Sequence, residues 1–251
     1  MVPHAVAIIP ARFQSTRLPG KALALIGGRP MVCHVAERTR QARGLERVIV
    51  ATDDERIRAA VAGMGAEVVM TRSDHPSGTD RLAEVARDLT ADVVVNVQGD
   101  LPLLDPLMVE RLVARLAADP TLPMATLATP IRDAAEWRSP HVVKVVPDAS
   151  GRALYFSRAP IPHDRDGIRR PGQVLGLRHI GMYGYRKDVL LRLAALPPSP
   201  LELVEKLEQL RALEHGIAIG VVEWTAAEPL IEVDTPDDLE RARAAHQGGT
   251  G

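Results

Sequence analysis

Short apolar runs alternate with longer amphipathic ones, and that rhythm sets the expected architecture. Residues 5–9, 47–51, 67–70 and 93–97 read as strands, while residues 30–40, 54–64 and 79–89 between them have helical length and period. The order is that of βαβ units on a parallel sheet. The unbroken Val93-Val94-Val95 calls for a sheet covered on both faces, since a half-solvated strand would alternate apolar with polar. Thr52-Asp53-Asp54-Glu55 and Ser199-Pro200-Leu201-Glu202 read as capping boxes, and Asp105-Pro106 and Thr235-Pro236 each set a cap residue before a proline at the first helical position. From about 134 to 186 the pattern changes to strands, turns and prolines (Pro160, Pro162, Pro171), with a charged stretch over 164–170. That segment is expected to be an antiparallel insertion beside the main sheet, serving as a substrate lid or dimerisation surface within a single domain spanning 1–251. A helix over 201–215, a strand over 217–224, a last helix over 236–246 and a frayed tail over 247–251 complete the reading.

A length of 251 residues suits one main α/β core. With 46% hydrophobic and 25% charged residues the composition is that of a soluble globular protein. The formal net charge is -1 with both signs scattered, so the basic stripe of a nucleic-acid binder is missing and a small-molecule partner fits better. Cys33 is the lone cysteine, cannot form an intramolecular disulfide, and sits in a helical pattern where buried packing is expected. The first apolar run is too short for a signal-peptide core and no long apolar stretch follows, which points to the cytoplasm and away from a membrane. Lysine occurs only at 21, 144, 187 and 206, arginine supplying the other basic positions, so each lysine draws notice.

Ligands of an open parallel sheet bind beyond the carboxyl ends of its strands, and four loops there are chemically unusual. Residues 10–21 follow the first strand and carry Arg12, Arg17 and Lys21 among small and hydroxyl residues, a composition able to cradle phosphates or to serve as a solvated basic turn. The loop is not a Walker A motif, because Ser15 replaces its first glycine and Ala22 its Ser or Thr. Gln98-Gly99-Asp100 puts a carboxylate past the most apolar strand, placed for Mg²⁺ or simply for a turn. In Glu232-Val233-Asp234-Thr235-Pro236-Asp237-Asp238, Thr235 and Asp238 suffice to cap the helix, leaving Asp234 as a second metal ligand or as an acid favoured by the helix dipole. Ser77-Gly78-Thr79-Asp80-Arg81 caps a helix whose free N–H groups also suit a nucleotide.

Taken in order along almost the whole chain, these loops resemble the CMP-Kdo synthetases, the 3-deoxy-manno-octulosonate (Kdo) cytidylyltransferases. The likeness also rests on Ala51-Thr52-Asp53-Asp54-Glu55-Arg56-Ile57, Asn96-Val97-Gln98-Gly99-Asp100, Val143-Lys144-Val145-Val146, residues 179–186 and residues 233–239. Its most specific parts are Ala153-Leu154-Tyr155-Phe156-Ser157-Arg158-Ala159-Pro160-Ile161-Pro162 and Leu207-Glu208-Gln209-Leu210-Arg211. The resemblance implies a GT-A-like α/β nucleotidyltransferase with a mostly parallel central sheet, helices on both faces and an antiparallel insertion. It also implies a Mg²⁺-using homodimer that joins CMP from CTP to Kdo for lipopolysaccharide synthesis. Asp100 and Asp234 then correspond to the metal ligands. Pro10, Ala11, Arg12, Ser15, Arg17 and Lys21 take the triphosphate side of the CTP site, and Thr52, Asp53, Ser77, Gly78, Thr79 and Arg81 complete it. Arg12, Lys21, Asp100 and Asp234 carry the catalysis. Gln98, Arg158, His179, Tyr183, Glu208 and Gln209 fall where the acid sugar binds.

Residue chemistry agrees at several of these positions. In a strand, His179, Gly181, Tyr183 and Tyr185 share one face. Arg158 offers a fork suited to a carboxylate, although it also suits a surface ion pair, just as His179 suits a core histidine and Glu208 a solvated helix face. One departure stands out: the family usually carries Gly-Asp-Glu-Pro where this chain has Gly99-Asp100-Leu101-Pro102. The lost carboxylate either points into the core or marks a different acceptor, such as another acidic sugar or a phosphonocarboxylate of a natural-product pathway. A catalytically inactive nucleotide-binding module is the remaining alternative.

Overall fold

The computed structural model describes residues 3–15, 17–169, 172–225 and 230–248. The chain forms two compact units, residues 1–113 with 228–251 and residues 114–227. In the first, the chain runs through β1 (Ala5–Ala11), a small hairpin of β2 (Leu25–Ile26) and β3 (Arg29–Pro30), α1 (Met31–Arg40), β4 (Arg47–Thr52), α2 (Glu55–Ala62), β5 (Glu67–Met70), α3 (Gly78–Arg87), β6 (Val93–Asn96) and α4 (Pro106–Ala118), whose last residues belong to the second unit. Strands β6, β1, β4 and β5 lie side by side in that order, all parallel, with Ile8 opposite Ile49 on one side and Asn96 on the other. Residues 5–9 and 93–95 are at most 1% exposed, so both faces of the sheet are covered as the unbroken apolar runs require. Cys33 is buried and unpaired, as its pattern implies.

Local chemistry sets the helix starts, with one shift from the sequence reading. Thr52 stays in β4, in register with Ala11 and Met70, so the cap of α2 moves to Asp54, whose carboxylate accepts from the Arg56 N–H at 2.9 Å. Ser77 caps α3 by accepting from the Asp80 N–H at 3.2 Å.

The second unit contains β7 (Met124–Ile131), α5 (Ala134–Arg138), β8 (Lys144–Pro147), β9 (Ala153–Ser157), β10 (Gly176–Arg186), α6 (Lys187–Ala195), α7 (Pro200–Glu205), α8 (Leu210–Glu214) and β11 (Ile219–Glu223). β7 pairs parallel with β11 and antiparallel with β10, and β8 pairs antiparallel with both β10 and β9. β7 has no counterpart in the sequence reading, because Thr126, Thr129 and Pro130 interrupt its apolar pattern. The helix expected over 201–215 is two helices. The Ser199 capping box forms, but Lys206 takes a left-handed conformation (φ 56°) and the helix stops. Its physical reason is capture of the carbonyls of Glu205 and Lys206 by the Arg158 guanidinium, at 2.8 and 3.4 Å.

The chain re-enters the first unit with α9 (Pro236–Gly248). Val233, Leu239 and Ala242 pack with Ile26 of the hairpin and Met31 of α1, which fixes the loop ahead of α9 against those two elements. Thr16, Arg170, Pro171 and the end of the tail, 249–251, lie outside the described residues. Among the described residues no helix is long and apolar enough to cross a membrane.

Leu101 has no exposed surface, so its side chain belongs to the core. Leu101→Glu would bury a carboxylate without a partner, and the stability measured by urea unfolding is expected to fall by roughly 3 kcal/mol or more, against less than about 1.5 kcal/mol for Leu101→Met.

Candidate active site

Four segments of the first unit line a cleft of about 350 Å³: the loop after β1, the residues after β6, the approach to α3, and Asp234 ahead of α9. The close approach of the segments after β1 and β6 depends on Gly99, where a Cβ would lie 3.0 Å from the Pro10 carbonyl oxygen. The Val233 N–H donates to the Asp100 carbonyl at 2.9 Å, tying the β6 loop to the segment before α9.

At the centre the Lys21 ammonium donates to Asp100 Oδ2 at 2.9 Å and to Asp234 Oδ1 at 3.0 Å. Arg17 pairs with the other Asp234 oxygen at 3.0 Å. The lysine side chain is 19% exposed, and burial disfavours its charge, yet the two carboxylates outweigh burial and its pKa is raised. Asp234 is free for this contact because Asp238 does the capping, accepting from the N–H groups of Asp234 and Thr235 at 3.1 and 2.9 Å. Burial pushes the Asp238 carboxyl up, but its hydrogen bonds from Arg241, Thr235 and those N–H groups prevail and hold it at about 2.

Arg12, Ser15, Ser77, Gly78 and Gln98 line the same cleft, as do Pro10 and Ala11. Arg81 does too, its buried guanidinium held by the Thr71 hydroxyl and by Asp53 Oδ2 at 3.4 Å. Thr52, Asp53 and Thr79 are not on the cleft wall: Thr52 and Thr79 are buried, and Asp53 stands behind Arg81 with Oδ1 buried and unpartnered. Gln14, Ala22, His75 and Pro76 also line the cleft, without having been singled out from the sequence. For His75 a signal existed, since a helix capped at Ser77 brings Glu84 round toward the residues before the cap, and the His75 imidazole bonds that carboxylate.

Within the second unit, β10 and its neighbours form a separate polar assembly. The rings of His179 and Tyr183 lie 5.3 Å apart and those of Tyr183 and Tyr185 5.7 Å, so the expected shared face is present. Ile180 pairs with Leu127 and Tyr183 with Thr126, leaving Gly181 and Met182 between them as an irregularity in the ladder. The Thr126 hydroxyl reaches the carbonyls of Ile180 and Met182 at 3.1 and 2.8 Å, and His179 Nε2 at 3.0 Å. Carbonyls only accept, so the hydroxyl donates to them and His179 Nε2–H donates to the hydroxyl. Burial lowers the His179 pKa to about 3 and keeps the ring neutral, and burial, helped by Tyr185 and Glu208, raises that of Tyr183 well above the usual tyrosine value. Glu208 is half-buried, and Gln209 is buried with Nε2 unpartnered. Arg158 differs from the open fork expected of it: Nε, Nη1 and Nη2 donate to the carbonyls of Glu205, Pro140 and Lys206. The wholly buried Lys144 ammonium likewise bonds the carbonyls of Ser139, Val142 and Arg158, and burial pulls its pKa down.

Residues 6–219 match the family model described as cytidylyltransferase. The chain is 56% identical to the 3-deoxy-manno-octulosonate cytidylyltransferase of Syntrophotalea carbinolica, over 96% of this chain and 98% of that protein. The chain belongs to the 3-deoxy-manno-octulosonate cytidylyltransferase family. The family's enzyme from Geobacter sulfurreducens is 54% identical over 94% of this chain and 96% of its own length. A solved CMP:2-keto-3-deoxy-manno-octonic acid synthetase complexed with CTP matches with a TM-score of 0.92 at 47% identity, covering 98% of this chain and 99% of that one. The 4-diphosphocytidyl-2C-methyl-D-erythritol synthase of Anaerococcus prevotii matches with a TM-score of 0.63 at 14% identity, over 97% and 96% of the two chains, which shows a common fold. The α/β nucleotidyltransferase fold expected from the sequence is therefore the fold of this cytidylyltransferase.

The neutral His179 gives this cytidylyltransferase a pH signature. Its folded pKa lies below the unfolded histidine value, so the unfolded chain binds the extra proton, and this contribution to stability is complete above about pH 6.5 and is lost as pH falls toward 3. Urea unfolding between pH 7 and 4 is expected to show wild type losing up to about 1.4 kcal/mol per pH unit more than His179→Gln. Parallel pH profiles for the two proteins would contradict the assignment.

Proposed function

We propose that this chain transfers CMP from CTP to Kdo, releasing pyrophosphate and forming CMP-Kdo for lipopolysaccharide synthesis, as a Mg²⁺-dependent homodimer of the cytoplasm. The observation that carries the proposal is the convergence of Asp100 and Asp234 on one cation, the Lys21 ammonium, in a cleft that Arg12, Ser15 and Arg17 also line. Membership in the family supplies the reaction.

The donor set fits magnesium. Two carboxylates held 2.9 and 3.0 Å from a common nitrogen make a hard, oxygen-only site, and Mg²⁺ completes such a shell with water and phosphate oxygens. Asp100 and Asp234 would hold it, and when bound it supplies positive charge beside the triphosphate. Arg12, Arg17 and Lys21 supply further donors to phosphate oxygens. The Kdo anomeric hydroxyl attacks the α-phosphorus in line. The new O–P bond forms as the bond from the α-phosphorus to the bridging oxygen breaks, pyrophosphate leaves with that electron pair, and the hydroxyl proton passes to solvent. Positioning and charge neutralisation carry the rate.

Because Leu101 is wholly buried, the missing family glutamate gives no reason to assign another acceptor. Leu201, Leu203 and Val204 on α7 are 39, 53 and 81% exposed, an apolar surface that supports the homodimer.

Asp100→Asn and Asp234→Asn are each expected to lower pyrophosphate release with CTP, Kdo and Mg²⁺ by about a hundredfold or more while the thermal midpoint is retained. Near wild-type rates in both would remove the metal assignment. In an acceptor panel the wild type should turn over Kdo. Turnover of a phosphonocarboxylate with none of Kdo would overturn the acceptor and leave the cytidylyl transfer.

A further inference from the structure

Phe13 stands between Arg12 and Gln14, both on the cleft wall, yet is not itself part of that wall. Its ring lies under Arg56 of α2, with the guanidinium carbon 3.4 Å from the ring centroid. Arg56 is in turn held by Asp54, Nε to Oδ1 at 3.0 Å and Nη2 to Oδ2 at 2.6 Å, the same carboxylate that caps α2. An edge-on carboxylate occupies the N–H groups of a guanidinium and leaves its flat face for an aromatic ring, so the two contacts are compatible and mutually orienting. On its other side Phe13 closes the loop. Its carbonyl accepts from the Gly20 N–H at 3.2 Å, and Gly20, at φ +69°, is close enough that a Cβ would sit 3.3 Å from the ring. Lys21 follows directly and makes the two carboxylate contacts at the cleft centre.

The rigid end of α2 is thus linked to the loop through Asp54, Arg56, Phe13 and Gly20 in sequence. We infer that the Phe13–Arg56 stack is a latch that holds the loop in its nucleotide-binding conformation, making Phe13 and Arg56 positioning residues for CTP, the ligand of the proposed function on which this inference rests. A loop of this length, released, spends most of its time in conformations that do not present Arg12, Ser15 and Lys21 together, and apparent affinity falls by the fraction still competent.

The test uses the full chain and calorimetric CTP binding in Mg²⁺, with amide hydrogen exchange as a readout that needs no ligand. Phe13→Ala and Arg56→Ala are each expected to weaken CTP about fivefold, and the double variant no more than about twofold beyond either single one, because both break one contact. Phe13→Tyr should bind CTP within about twofold of wild type. Amides over 12–21 should exchange faster in both alanine variants while the β1 and β6 amides keep their protection. Wild-type-like CTP affinity in both alanine variants, multiplicative losses in the double, or unchanged exchange over 12–21 would overturn the latch. Loss of protection throughout the first unit would overturn it as well, showing a general stability effect. Absence of CTP binding by the wild type would be the failure of the proposed function itself, recognisable because it precedes any comparison of variants.

Discussion

Two carboxylates cannot be brought to within about 3 Å of the same point without a positive charge between them, and in this protein Lys21 supplies that charge. Everything in the cleft follows from where that ammonium sits. It closes the loop after β1 onto the loop after β6 and onto the segment before α9, three stretches also joined by the Gly99 contact, the Val233–Asp100 main-chain hydrogen bond and the Arg17–Asp234 ion pair. The arrangement is nearly charge-balanced, with Arg17 as the second cation on Asp234. It therefore holds its shape at modest cost while leaving acidic oxygens and basic N–H groups facing one small volume.

The second unit solves a different problem with the same chemical means. Its loops leave main-chain carbonyls with no strand or helix partner, and cations are spent on them: Lys144 on three carbonyls, Arg158 on three more. One consequence is visible in the helices. The carbonyls that Arg158 takes are those a continuing α7 would need, so the side chain that shapes the loop also ends the helix.

How much of this was legible in the sequence depends on the range of the interaction responsible. The parallel strands and α1, α2 and α3 were readable because apolar periodicity and caps are local, and Asp234 was readable as surplus to capping because Thr235 and Asp238 lie within one turn. Asp100, Asp234 and Lys21 drew notice as loop residues, but their convergence is a tertiary fact that no spacing encodes. The same is true of Arg158, whose fork looked free because the carbonyls it binds are some 18 to 48 positions away. Thr126 was invisible for the opposite reason. A threonine in a strand is unremarkable until an irregularity in the facing strand hands it two carbonyls and a histidine.

The discontinuity of the first unit bears on how the protein is made. Lys21 and Asp234 are 213 positions apart, so a ribosome has already released the β1 to β6 region and the whole of residues 114–227 before the second acid emerges. Until then the lysine has Asp100 alone for company. A chain ending between Asp100 and Asp234 would lack the second carboxylate beside Lys21 and also Val233, Leu239 and Ala242 against Ile26 and Met31, so the cleft is assembled only when residues from both ends of the sequence are present.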